Sequence, residues 1–233
     1  MKDLFGKAIL DFQTNNSPED LVTETNISEA DEMSVEYLFR SFNEMPELEQ
    51  KAFQLAKGNV LDVGCGAGSH TLELQNERKL DVTAIDISEN AVTQANRNAA
   101  LNKLDHIVKF EAMNAFDVLK NWGKEGRKYD VVMLDPPAFT KSRSSIEKAV
   151  TGYKEINLRG MKMINNGGFL VTSSCTNLVS PELFLDTIYM AAKDAKKRIR
   201  QVTYQSQSSD HPIIWGMENT HYLKFLIVEV CDK

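Results

Sequence analysis

At 233 residues, 42% hydrophobic and 26% charged, the chain can bury one sizeable core and reads as a single folded unit, which excludes a disordered or low-complexity segment. Its three cysteines, Cys65, Cys175 and Cys231, are odd in number and far apart, which argues against a disulfide framework and for a reducing cytoplasm. The net charge of −6 is uneven: residues 1–56 carry 4 basic and 12 acidic residues, whereas 120–200 carry 15 basic and 8 acidic, so a basic surface is expected only in the second half.

The first residues, MKDLFGKAILDFQTNN, lack the apolar stretch of a secretion signal. No later run reaches the length of a membrane span, so no membrane partner is expected. Leu4, Phe5, Ala8, Ile9 and Phe12 recur at helical spacing, and a polar break from Thr14 to Asp20 contains Pro18. Val35, Leu38, Phe39 and Phe42 form one face of a second expected helix, residues 33–42. Pro46 opens a third that stops at Gly58. These helices are expected to make an extension, residues 1–57, ahead of a domain spanning 58–233. It either covers a sheet edge or folds over the site as a lid, with Tyr37 or Arg40 facing in.

Residues 59–74, NVLDVGCGAGSHTLEL, organise the rest of the chain. An apolar run, Val60 to Val63, leads into the turn Gly64-Cys65-Gly66-Ala67-Gly68, and Ser69 is placed to cap a helix. Strand, tight glycine turn and helix start make a nucleotide-binding crevice in an open α/β sheet. Glycines let backbone approach a ligand closely, and the helix start offers unpaired N–H groups. The third glycine, Gly68, falls one residue too early for the dinucleotide fingerprint, and G-x-x-x-x-G-K-[ST] is absent, which excludes a P-loop. The next strand, residues 82–85, ends at Asp86, where a carboxylate can accept hydrogen bonds from ribose hydroxyls. Either feature alone fits a plain turn or a surface Asp. Together, D-x-G-x-G-x-G and the strand-end acid resemble motif I of the class I S-adenosylmethionine (AdoMet) methyltransferases. That resemblance implies AdoMet as cofactor, S-adenosylhomocysteine as product and no metal. The cofactor-binding residues it implies are Asp62, Gly64, Cys65, Gly66, Gly68, Asp86, Ile87, Asn114, Ala115 and Asp135. Asn114 stands where such enzymes often have an acid that bonds adenine.

The chain then alternates: helix 89–102, strand 107–112, the apolar strand 129–134 (YDVVML), helix 152–164 and a stop at Asn165-Asn166-Gly167-Gly168. Strand 169–173, helix 181–195 and strands 199–204 and 222–230 complete it. The expected class is α/β, a doubly wound Rossmann-like sheet, mostly parallel with the last strand antiparallel.

Ligands in such sheets sit beyond the carboxyl ends of the strands. Asp135-Pro136-Pro137-Ala138-Phe139 comes after the most apolar strand. It resembles the motif IV loop of methyltransferases that act on planar bases, where the Asp grips a base edge and the Phe stacks on it. Cys175 ends the strand after Gly168, and a thiolate there would be a strong nucleophile, although a lone Cys is more often a small buried hydrophobe. From about Asn98 to Lys224 the chain resembles the catalytic domain of bacterial 23S ribosomal RNA cytosine-C5 methyltransferases. The matching pieces are DPPAFTKS from Asp135, GYKEIN from Gly152, GGFLVTSSCT from Gly167, DHP from Asp210 and YLK from Tyr222. The resemblance implies Cys175 as nucleophile, adding to cytosine C6, and Asp135 as the acid that binds the ring edge. Pro136, Pro137 and Phe139 would line the base, with Lys141, Arg143 and Lys154 on phosphates. Two features depart from that family: no PUA-type RNA-binding domain precedes Asn59, and motif I has the generic form. Residues 1–91 instead resemble small stand-alone methyltransferases. RNA, ribosomal in the first instance, is the expected partner in the cytoplasm. The alternatives are a small-molecule acceptor, an amino group of a nucleobase or protein, and a non-catalytic AdoMet-binding domain.

Overall fold

The computed structural model describes residues 4–15, 19–23, 31–140, 142–208 and 211–233. After helix α1 (Leu4–Thr14), two short strands, β1 (Leu21–Thr23) and β2 (Asp31–Met33), pair antiparallel, and α2 covers Glu47–Leu55. The alternating part then runs β3 (Asn59–Val63), α3 (Ser69–Arg78), β4 (Asp81–Asp86), α4 (Glu89–Leu101), β5 (Lys109–Ala112), α5 (Ala115–Lys124) and β6 (Tyr129–Leu134). It continues through α6 (Ile146–Lys162), β7 (Ile164–Cys175), α7 (Pro181–Asp194), β8 (Lys197–Gln205) and β9 (Leu223–Asp232).

The sheet runs β5-β4-β3-β6-β7-β9-β8, and β9 lies antiparallel between β7 and β8. Strand order reverses between β3 and β6, and a crevice opens at the carboxyl ends of strands where order reverses. Those two ends carry the glycine turn and Asp135. Helices α4, α5 and α7 start at side-chain caps. Ser88 Oγ accepts the Ala91 N–H at 3.1 Å, the Asn114 side chain accepts the Phe116 N–H at 2.9 Å, and Ser180 Oγ accepts the Leu183 N–H at 3.2 Å.

Each sheet face buries its own cluster. On one side Tyr153, Ile156 and Met161 of α6 and Phe184 and Ile188 of α7 pack on Leu61, Val132, Leu134 and Leu170. On the other, Leu48, Ala52 and Phe53 of α2 pack on Val60, Val131, Phe225 and Ile227. From Val131 to Leu134, β6 is apolar because both faces are covered there.

Several expectations need correction. Residues 33–42 are not one helix: β2 ends at Met33, and two short 3₁₀ helices come next, Val35–Phe39 and Phe42–Glu44. Ser34 and Ser41 cap them, so local hydrogen bonding divides a stretch whose apolar spacing suits a single helix. Gly68, not Ser69, caps α3, in the left-handed conformation (φ +85°). Helix α5 goes unread in the sequence, though Val118, Leu119 and Trp122 bury one face of it. Helix α6 begins at Ile146 rather than 152. Residues 165–168 are not a stop and turn but an irregularity within β7: Tyr129 pairs with Ile164 and Val131 with Phe169. A side chain at Gly168 would meet the Asp130 carbonyl oxygen at 2.5 Å, and Asn165 Nδ2 donates to Asp130 Oδ1 at 2.9 Å, which anchors the bulge. Within the polar break at 14–20, residues 16–18 lie outside the described residues.

Candidate active site

The glycine turn is tied to the neighbouring strand. The N–H groups of Gly64 and Cys65 both donate to the Ile85 carbonyl, at 2.8 and 3.2 Å. Gly64, Gly66 and Gly68 all have positive φ (+93°, +54°, +85°), for three different reasons. A Cβ on Gly64 would meet the Asp135 carbonyl oxygen at 2.6 Å, so this glycine lets the ends of β3 and β6 approach. A Cβ on Gly68 would meet Phe110 Cζ at 2.6 Å, and one on Gly66 would meet nothing within 4 Å. Gly66 therefore faces open space.

That space is a cavity of about 770 Å³, within the size range of small-molecule sites. Of the expected residues, Gly64, Cys65, Gly66, Asp86, Ile87, Asn114, Ala115, Asp135, Pro136, Pro137, Phe139 and Cys175 line it. Asp86 joins the two turns: Oδ2 accepts the Gly66 N–H at 3.0 Å and Oδ1 the Ser88 N–H at 2.8 Å. A carboxylate has about four acceptor sites, so it retains capacity for further donors. Ile87 is 72% exposed, an apolar side chain at the rim.

The other expected residues lie elsewhere. Gly68 packs on Phe110 and Ala95. Asp62 is buried and accepts from Thr71 Oγ1 at 2.7 Å; burial pushes its carboxyl up. It borders a second cavity of about 180 Å³, shared with Glu49, His70 and Asp135. Arg143 is exposed in a short 3₁₀ helix and does not line the main cavity. Lys154 is paired with Asp194 at 2.7 Å. Lys141, and Asp210 of the DHP piece, lie outside the described residues.

Asp135 accepts a hydrogen bond from the Ser173 hydroxyl, and its own N–H donates to the Val63 carbonyl at 3.1 Å. Phe139 stands in an aromatic wall, 4.6 Å from the Tyr153 ring and 5.8 Å from Phe116. Cys175 ends β7 opposite Leu223 of β9. Burial, then the Asp135 charge, hold its thiol above the ordinary value. Burial pushes the Cys65 thiol much further up, which makes it inert.

The sequence reading missed Ile9, His70, Met113, Ile156 and Leu223, all of which line the main cavity. Ile9 brings α1 to the site: it is 1% exposed and packs with Val35 and Ala67. His70 is the second residue of α3, a position after a glycine turn that could have been singled out. Its Nε2 lies 3.1 Å from Glu49 Oε2, and Arg40 pairs with the other Glu49 oxygen. Burial pushes the His70 imidazole down, but Glu49, then Asp62 and Asp135, outweigh it and hold the pKa above its usual value. Burial likewise raises Glu49, while His70 and Arg40 hold it below the usual range. Arg40 lies 4.0 Å from the centre of the Tyr37 ring; neither residue lines the cavity. Among the described residues, no group of three His, Cys, Asp or Glu could hold a metal ion, and no helix is long and apolar enough to cross a membrane.

Comparison with known proteins agrees with this geometry. The "Ribosomal RNA large subunit methyltransferase I" of Shewanella frigidimarina is 35% identical over 181 residues, 77% of this chain and 46% of the relative. The protein of the same name from Tolumonas auensis is 35% identical over 170 residues, 72% of this chain and 43% of the relative. The chain thus spans about half the length of the curated relatives it matches. The crystal structure of a SAM-dependent methyltransferase from Bacteroides fragilis in complex with S-adenosyl-L-homocysteine superposes with a TM-score of 0.63. That match has 23% identity and covers 99% of this chain and 95% of the other, a likeness of fold. A model of the methyltransferase domain matches residues 54–223, from the end of α2 to the first residue of β9. The glycine turn, the acid ending β4, the reversal of strand order and this match together make the chain a member of the methyltransferase-domain family, of the class I AdoMet-dependent type.

Proposed function

We propose that the chain methylates C5 of a cytosine in RNA, ribosomal RNA in the first instance, through a covalent bond from Cys175. The observation that carries this reading is the meeting of Cys175 and Asp135, on neighbouring strands, in the same cavity as the glycine turn. The ribosomal RNA part is supported by the names of the relatives.

The residues fit AdoMet. Gly66 leaves an open cradle, Asp86 keeps acceptor capacity for ribose hydroxyls, and Ile87 and Phe116 supply apolar surface for an adenine. The Asn114 amide NH₂ is a donor beside them. When bound, AdoMet supplies an electrophilic methyl group. Cytosine C5 is too weak a nucleophile to accept it unaided. Cys175 adding to C6 gives C5 enamine character, and Asp135, steadied by Ser173, stabilises the charge that develops at the ring edge. Loss of the C5 proton after methylation then breaks the C6–S bond and restores the ring. The base must be unpaired or flipped to enter. Residues 1–57 act as a cap on the catalytic domain, 58–233, with Ile9 at its mouth. A ribosomal RNA substrate sets the reaction in the cytoplasm.

The raised thiol favours a second reading: Asp135 grips an amino group, and Cys175 is incidental. An RNA carrying 5-fluorocytosine separates the two, because fluorine at C5 cannot leave as a proton. On the first reading it forms an AdoMet-dependent adduct that survives denaturing electrophoresis and is lost in Cys175→Ala but not in Cys65→Ala or Cys231→Ala. Methylation of RNA by Cys175→Ala at near wild-type rate overturns the C5 mechanism.

A further inference from the structure

Lys224, the second residue of β9, is fully buried. Lysines are almost never buried unless paired, because removing an ammonium from water is costly. Among the described residues no carboxylate lies within ion-pair distance of Lys224. Its Nζ donates to the carbonyls of Tyr222, at 2.9 Å, and of Thr176, the residue directly after Cys175. An ammonium has three donors, so two carbonyls account for neither its last proton nor its charge. The register sets Ser174 and Lys224 on one sheet face and Cys175 and Leu223 on the other, but the bond to the Thr176 carbonyl brings the ammonium to the end of β7, one residue past Cys175, where its charge and the Cys175 sulfur act on each other. We infer that Lys224 is a positioning residue whose ammonium is the counter-ion of the Cys175 thiolate. Burial pushes its own pKa down to about 8, and its charge lowers that of the thiol. A proton leaving the thiol for solvent then creates an ion pair in place of an unpaired buried cation.

This rests on Cys175 as the nucleophile, but its test needs no RNA. Alkylation of Cys175 by iodoacetamide, tracked by peptide mass spectrometry across pH, reports its thiolate directly. In Lys224→Met the midpoint should move up and the rate at neutral pH fall about tenfold, a shift of about one pKa unit. Lys224→Arg should restore much of it. Lys224→Gln, which keeps a donor for the carbonyls, serves if the methionine form does not fold, and should behave like it. A neutral variant that binds S-adenosylhomocysteine normally and keeps the wild-type alkylation profile overturns the inference. Activity in Cys175→Ala would instead overturn the reading beneath it.

A separate observation concerns the loop between β8 and β9. Trp215 is 96% exposed, with Ile213, Ile214 and Met217 exposed around it, although tryptophans are highly buried on average. Residues 214–220 are tied together by their own bonds. Met217 N–H donates to the Ile214 carbonyl at 3.0 Å, with Gly216 in the left-handed conformation (φ +86°), and the Ile214 N–H donates to Thr220 Oγ1 at 2.9 Å. The indole is thus held on a turn tied back to Thr220, three residues before Leu223 in the cavity wall. We propose that Trp215 is a stacking platform for an unpaired base flanking the target. This rests on RNA as the substrate. Titration with a single-stranded oligocytidine of about a dozen nucleotides should quench tryptophan fluorescence in the wild type. It should not do so in Trp215→Ala, whose remaining tryptophan, Trp122, is buried. Trp215→Ala should bind the oligonucleotide about tenfold more weakly, and Trp215→Phe nearly normally. Tight, unquenched binding, or a change of oligomeric state in Trp215→Ala, overturns the platform alone; no binding of any RNA overturns it together with the RNA reading.

Discussion

Gly68→Ala should unfold the protein more readily without emptying the cofactor site. Two costs add. Alanine in the left-handed conformation that Gly68 adopts loses about 1–2 kcal/mol. Its Cβ would also lie 2.6 Å from Phe110 Cζ and 3.2 Å from Ala95 Cβ, an overpacking of about 1–3 kcal/mol. A loss of about 3 kcal/mol corresponds to a fall in Tm of roughly 6–12 °C for a domain of this size. Gly66→Ala has only the backbone cost, since nothing stands near its Cβ, but it intrudes on the cavity. Calorimetric melting and titration with S-adenosylhomocysteine should therefore separate the pair: Gly68→Ala loses stability, Gly66→Ala loses affinity. Adding Phe110→Leu should return part of the stability lost in Gly68→Ala, a coupling that a double-mutant cycle measures. A Gly68→Ala protein with wild-type Tm and weakened binding would refute the assignment of Gly68 to packing.

Phe53→Ala should cost about 3–5 kcal/mol in urea unfolding, because the ring is 1% exposed between α2 and the sheet; a change under about 1 kcal/mol would mean that α2 is loosely attached. Asp86→Ala should weaken S-adenosylhomocysteine binding by about 1–3 kcal/mol, and unchanged titration calorimetry would remove Asp86 from the site. The folded-state pKa of His70 lies above 6.5, so its contribution to stability is complete below that value and is lost as pH rises through the raised one. The stability advantage of wild type over His70→Gln should therefore shrink as pH rises above 6.5; an advantage that grows with pH contradicts the Glu49–His70 pairing.

The sheet was legible because its signals are local. The apolar run of β6 and the acid ending β4 each require only a few neighbouring residues. The extension was legible only in outline. Apolar spacing at 33–42 suits a helix, but Ser34 and Ser41 divide it, and no periodicity argument weighs such caps. The cavity residues set by glycines and strand ends were readable; Ile9 and Leu223 were not, since both arrive through long-range packing. Motif I counts three glycines alike, yet Gly68 serves Phe110 while Gly66 faces the ligand space, a difference set by what lies opposite each Cα in the fold. Lys154 was read as a free cation because nothing in the sequence announces Asp194 across two helices.

The position of β9 has a consequence for how the chain folds. β3, β4 and β5 are neighbours both in sequence and in the sheet, so the glycine turn and Asp86 can assemble from early, nearby contacts. β7 and β8 are separated in the sheet by a strand that comes after both in sequence. Until residues 223–232 arrive, the β7 edge next to Cys175 stays unpaired, and an open edge is where chains associate wrongly. The cofactor half of the crevice should thus form early in folding, and the Cys175 half late. Slow steps and aggregation should gather at the insertion of β9, the strand that also carries Lys224 to the thiol.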